Sequence, residues 1–255
     1  MKILANFLTL LTLLFLSGSL SAADLGKEQR WAEQIVDALL DGEAVYLQAN
    51  GHQFLGIHTE AYEGEGRQAA IVIHGSGVHP NWPTVVYPLR TRLPEAGWQT
   101  LSIQMPVLHN EAEYAEYLPL FPTVTPRIQA AIEFLRQNGA EKIVLLAHSL
   151  GARMTAYSLA TTPEPVAGFA AIGMPGRAGE GNDNSLAQIG DISIPMLDLF
   201  GSQDLPDVVD TAAARRSAAA ANPAYQQTEV DGADHFFEGE EEQLLDVVQA
   251  WLETL

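Results

Sequence analysis

The sequence predicts an α/β domain built on a mostly parallel, doubly wound sheet with an antiparallel hairpin at its N-terminal end. Three observations carry that expectation. Short apolar runs, at 68–74, 98–105, 143–146, 166–174 and 195–200, alternate with stretches of helical spacing, which is the order of βαβ units. Those runs are nearly unbroken in apolar residues, as expected for strands covered on both faces. Asn50-Gly51 joins two alternating runs, 44–49 and 52–60, and is a strong hairpin signal.

Composition bounds the rest. With 47% hydrophobic and 18% charged residues in 255, the chain can bury a full core, and no repeat or change of composition divides it, so a single domain is expected over 24–255. Residues 1–23 read differently. Lys2, an apolar run over 3–16 and small residues over 17–23 form a charged start, an apolar stretch short of the roughly 20 residues a spanning helix needs, and a cleavage zone. A secretory leader ending near Ala23 is expected, with export to the periplasm; an uncleaved anchor is the alternative. Cysteine is absent, which excludes disulfides, a thiol nucleophile and thiolate metal sites. The formal charge of −19 argues against nucleic acid or an anionic lipid face as partner.

In order, the mature chain opens with an amphipathic helix over 27–41 (Trp31, Ile35, Val36, Leu39) and the hairpin, whose His52 and His58 read as ordinary strand residues. The strand over 68–74 runs into His74-Gly75-Ser76-Gly77. A helix follows over 85–96, interrupted by Pro94 and closed by Gly97, then a strand over 98–105, a loop over 106–122 and a helix over 123–137. After the strand over 143–146 and its helix come the strand over 166–174, a Gly-rich loop over 176–184, the strand over 195–200, an Ala-rich helix over 213–221, a strand over 225–230 and an acidic helix over 238–255.

The chemistry centres on Ala147-His148-Ser149-Leu150-Gly151. An apolar strand stops at a serine flanked by small residues and restarts at once as a helix, the layout of a nucleophile elbow. Such a turn lifts the hydroxyl above the sheet edge and aims the first helical amide, that of Leu150, at the same spot. The glycines after His74 leave backbone free to supply a second amide, from Ser76 or Gly77. Ser76 itself is a poor nucleophile candidate, because no helix starts after it. A serine needs a base, and the base needs a carboxylate to hold its tautomer. Asp204, just past a late strand and Gly201, is the expected acid, with Asp207 in reserve. His235, in Asp231-Gly-Ala-Asp234-His235 after the last strand, is the expected base. His148 is expected to point down toward structure, and His74, His79 and His109 lie on edge loops without a matching acid. No histidine pair has zinc spacing, so neither a metal nor a cofactor is expected.

Ser149, Asp204 and His235 in that order resemble the α/β-hydrolase superfamily over nearly the whole mature chain. The stretch from His74-Gly-Ser-Gly-Val-His-Pro-Asn-Trp-Pro to Met105-Pro also resembles an uncharacterised bacterial family of exported α/β-hydrolase-like proteins. The resemblance implies an α/β-hydrolase fold without a large cap domain. It also implies a serine hydrolase acting on a small or medium carboxylic ester or thioester, a small-molecule partner and no cofactor. The first glycine of the superfamily's G-x-S-x-G is Ala147 here. A noncatalytic binding or envelope-maintenance protein on the same fold is the alternative. Only 108–120 and 178–189 are expected to be free to shape the mouth of the site.

Overall fold

The computed structural model describes residues 23–255; the leader reading, Ala23 apart, falls on residues outside those described. An eight-stranded sheet in the order β1-β2-β4-β3-β5-β6-β7-β8 organises the molecule. The strands are β1 (Glu43–Ala49), β2 (His52–Thr59), β3 (Gln68–Ile73), β4 (Trp98–Ile103), β5 (Lys142–His148), β6 (Gly168–Ile172), β7 (Met196–Gln203) and β8 (Tyr225–Asp234). β2 runs antiparallel to β1 and to β4, and every other pair is parallel. Asn50 and Gly51 both take positive φ (52° and 78°), the geometry a two-residue hairpin of primed type requires.

The pleat splits each central strand between two cores. Ile71, Ile73, Ile143, Leu145, Ala147, Phe169 and Ala171 face one core, which α4 (Val124–Gln137) and α5 (Leu150–Thr161) cover. Ala70, Val72, Val144, Leu146, Ala170 and Ile172 face the other, covered by α2 (Val86–Arg92) and α9 (Glu241–Leu252). That period-two division is why the strands read as continuous apolar runs. α9 alone buries Leu244, Leu245, Val248, Trp251 and Leu252, each contributing about 1.5–3 kcal/mol. α1 (Leu25–Asp37) packs on the hairpin through Ala32 and Ile35 against Leu55 and Ile57. It starts two residues before the expected helix because Asp24 caps it, its Oδ1 accepting the Lys27 N–H at 2.8 Å.

Several short elements lie where the sequence suggested loop or no element: α3 (Tyr114–Tyr117), α6 (Ser185–Asp191) and α7 (Pro206–Val209), before α8 (Ala212–Ala218). β8 runs four residues past its expected end. No large cap stands between β6 and β7. Among the described residues no helix is long and apolar enough to cross a membrane.

Candidate active site

Ser149 stands where β5 gives way to α5, at φ +56° and ψ −123°, backbone that costs a residue with a side chain about 1–3 kcal/mol. Neighbours hold it there. Its N–H donates to the Ile172 carbonyl at 2.8 Å, and its carbonyl accepts from Ala152 and Arg153 at 3.1 and 3.3 Å. The turn has no room for side chains beside it: a Cβ on Gly151 would overlap the His74 carbonyl, and one on Gly75 would come within 2.9 Å of the Ser149 Cβ. Ala147, in place of the usual glycine, is fully buried and fits.

His235 arrives from β8 through a bulge. Gly201 pairs with Val230 and Gln203 with Asp234, so β8 spends four residues where β7 spends two. A Cβ on Gly201 would overlap the Ala233 carbonyl, and Gly232 takes φ +81° within the slack. The result places the imidazole between Ser149 and Asp204. Its Nδ1–H donates to Asp204 Oδ1 at 2.6 Å, and its Nε2 accepts from the Ser149 hydroxyl at 2.9 Å. An ionised carboxylate can only accept, so the proton sits on Nδ1 and leaves Nε2 open as the acceptor. Asp204 is buried and its Oδ1 also accepts the Leu205 N–H at 2.7 Å. Asp207 lies exposed on the first turn of α7 and does not join this chain of hydrogen bonds.

Beneath the pair sits Gly173, which the sequence reading did not single out. At φ +59°, a Cβ there would come within 3.1 Å of His235 Nδ1 and 3.2 Å of Asp204 Oδ2. Its only sequence signal is a glycine at a strand end.

Two further histidines support the site. His148 was expected to point away into structure; it is buried, yet it turns toward His235, and its Nε2–H donates to the His235 carbonyl at 2.8 Å. Its ring centroid lies 4.8 Å from that of His235 and 5.4 Å from that of Phe236. Burial first, and then the neighbouring His235, push its pKa down to about 4, so it is neutral near pH 7. His74, placed by sequence on an edge loop, is fully buried at the end of β3, and burial lowers its pKa to about 3. Its Nδ1–H donates to the Gly75 carbonyl at 2.7 Å, while Nε2 accepts the Met105 N–H at 2.9 Å. Among the described residues no peptide bond is cis, so the Ser76 N–H, across the same peptide plane, points the opposite way from that buried carbonyl. His79 is half-buried between Trp31 and Trp82, and His109 is exposed near Glu111 and Glu116. Among the described residues no group of three or more His, Asp or Glu is placed to hold a metal ion.

A cleft of about 560 Å³ opens over Ser149. It is lined by the segment after β3 (Gly75, Ser76, Val78) and by the ends of β7 (Gln203 to Pro206) and β8 (Asp234 to Phe236) with the residues that follow them, with His148 and Ser149 at its base. Ser76 reaches the lining and Gly77 does not. Nor do the two loops expected to shape the mouth: they are fastened to each other and to α5. Arg153 of α5 donates to Asp183 at 3.1 Å and lies 4.4 Å over the Tyr114 ring, and Asn182 donates to the Leu118 carbonyl at 3.0 Å.

Comparison with solved structures shows that this architecture is the α/β-hydrolase fold. A putative dienelactone hydrolase from Klebsiella pneumoniae superposes with a TM-score of 0.68 at 17% identity, covering 84% of this chain and 98% of its own. An α/β serine hydrolase homologue from Coxiella burnetii gives 0.65 at 20%, covering 85% and 99%. Est1E from Butyrivibrio proteoclasticus, in a structure with ferulic acid bound, gives 0.68 at 13%, covering 83% and 98%. No curated protein matches the sequence. The family described as "Protein of unknown function (DUF3530)" matches over residues 20–119 and 120–254, so the chain belongs to that family and carries the α/β-hydrolase fold.

Proposed function

We propose that the protein is an exported serine hydrolase that cleaves a small or medium carboxylic ester or thioester through an acyl-enzyme. The observation that carries the reading is the unbroken line of hydrogen bonds from Ser149 Oγ through both nitrogens of His235 to the buried Asp204. In this mechanism His235 Nε2 takes the Ser149 proton as Oγ bonds to the carbonyl carbon, and Asp204 holds the imidazolium that forms. The N–H groups of Leu150 and Ser76 receive the negative charge on the carbonyl oxygen. Collapse breaks the bond to the leaving group, which takes the proton from Nε2. Water then repeats the sequence and releases the acid.

The test is labelling with a fluorophosphonate probe. Wild type should be labelled and should turn over short-chain activated esters, and Ser149→Ala should do neither. Equal labelling of both would remove Ser149 from its role. A protein that neither labels nor turns over any ester would be the noncatalytic member of the fold. Export rests on the leader pattern alone, and its test is the N-terminus of protein recovered from the periplasm, expected at or near Asp24. Intact Met1 in a membrane fraction would overturn it.

A further inference from the structure

The residues that directly follow the two partners of Ser149 are both apolar, and hydrogen bonds of the triad segments fix both in place. Leu205 follows Asp204; its N–H is held by the Asp204 carboxylate, and the residue is 48% exposed and lines the cleft. Phe236 follows His235, and its placement is more elaborate. Asp234 Oδ1 accepts the N–H groups of Phe236 and Glu238 at 2.9 and 3.1 Å, closing a turn over the intervening residues. Within that turn Phe237 takes φ +53°, a left-handed conformation uncommon for a bulky residue, and is wholly buried in the core shared with α9. Two successive phenylalanines thus face opposite ways: Phe237 anchors the turn, and Phe236 is presented, half-buried, to the cleft.

Phe236 is also backed. Its ring lies 5.3 Å from that of His235 and 6.4 Å from that of Trp82, which in turn packs edge-on against His79 at 5.4 Å. The wall beside His235 is therefore a run of neighbouring aromatic rings. The charges around the cleft argue against an anionic group there. Its lining includes Asp204 and Asp234 but neither lysine nor arginine, and Asp234 Oδ1 is engaged with its own turn.

The mechanism fixes which part of an ester meets this wall. His235 Nε2 must deliver its proton to the leaving oxygen, so the alcohol portion lies beside His235 and hence beside Phe236. We propose that the cleft selects esters whose alcohol portion is an uncharged aromatic or compact hydrocarbon group, held against Phe236 with Leu205 at its edge, and excludes an anionic alcohol portion. This rests on the hydrolase reading above and adds the substrate class to it.

The experiment keeps the acyl group constant and varies the alcohol: benzyl acetate, ethyl acetate, acetoxyacetate and acetylcholine, followed by proton release. Wild type should favour benzyl acetate over acetoxyacetate by about tenfold or more in kcat/KM. In Phe236→Ala the benzyl-to-ethyl ratio should fall by about tenfold, mainly through KM. Leu205→Asn, at a half-exposed site, should lower the same ratio and serves where Phe236→Ala does not fold. An unchanged ratio in both variants, or a wild-type preference for acetoxyacetate or acetylcholine, overturns the proposal. Failure of the hydrolase reading is recognised separately, by absent fluorophosphonate labelling. In that case calorimetric binding to Ser149→Ala decides: benzyl acetate binding more tightly than acetoxyacetate supports the selection, and the reverse order overturns it.

Discussion

Three residues separate Asp204 from Asp207, and both follow the same strand. Only Asp204 is buried against His235 Nδ1; Asp207 faces solvent at the start of α7. Losing the orienting carboxylate lets the imidazole take the wrong tautomer, so Asp204→Asn should lower turnover by about three to four orders of magnitude with the fold intact. Asp207→Asn should leave turnover within a factor of about two, since nothing at the site touches it. Steady-state kinetics with a circular dichroism control separates the two, and the opposite pattern would move the acid by three positions. That Ser149, Asp204 and His235 lie at strand ends was legible in the sequence because local signals mark each of those ends. His148, His74 and Gly173 were not, because their roles depend on partners far along the chain: the His235 carbonyl, the Met105 amide, and the His235 ring with the Asp204 carboxylate. No spacing rule reports such partners.

At the scale of elements, the long buried strands declared themselves through their apolar runs, whereas the short helices α3, α6 and α7 did not. Four to seven residues are too few for a helical period to register, and tertiary contacts set them. The extended end of β8 was missed for a related reason: its bulge is made by Gly201 and Gly232, which read as turn residues. The ends of β3 and β5 carry a pH consequence. His74 and His148 are buried with pKa values lowered from 6.5 to about 3 and about 4. Below pH 6.5 the unfolded chain takes up protons that the folded one refuses. Stability should therefore fall with decreasing pH, by up to about 1.4 kcal/mol per unit for each histidine, until the folded pKa is reached, and should be level above 6.5 on their account. Urea midpoints at pH 7 and pH 5 measure this. His74→Asn, which keeps a donor for the Gly75 carbonyl, should lose less stability over that interval than wild type, and an equal loss would exclude His74 as a source.

For the molecule as a whole, the sheet order sets an unequal footing for the three residues of the site. Ser149 directly follows β5, which has a bonded strand on either side and a core on each face. His235 follows β8, which is bonded to β7 alone and exposes its other edge. Edge strands open locally at lower free energy than central ones. On warming, the rim of the sheet should loosen before its middle, carrying the base out of reach while the serine still stands in its turn. Ester turnover should then fade several degrees below the midpoint of the circular dichroism transition and return on cooling. Amide hydrogens of β8 should exchange earlier than those of β5, whereas coincident loss of activity and secondary structure would show that the sheet gives way as one piece. Under that order of events heat acts as a reversible inhibitor before it acts as a denaturant, and the molecule passes through an interval in which it is folded, cool enough to recover, and unable to react.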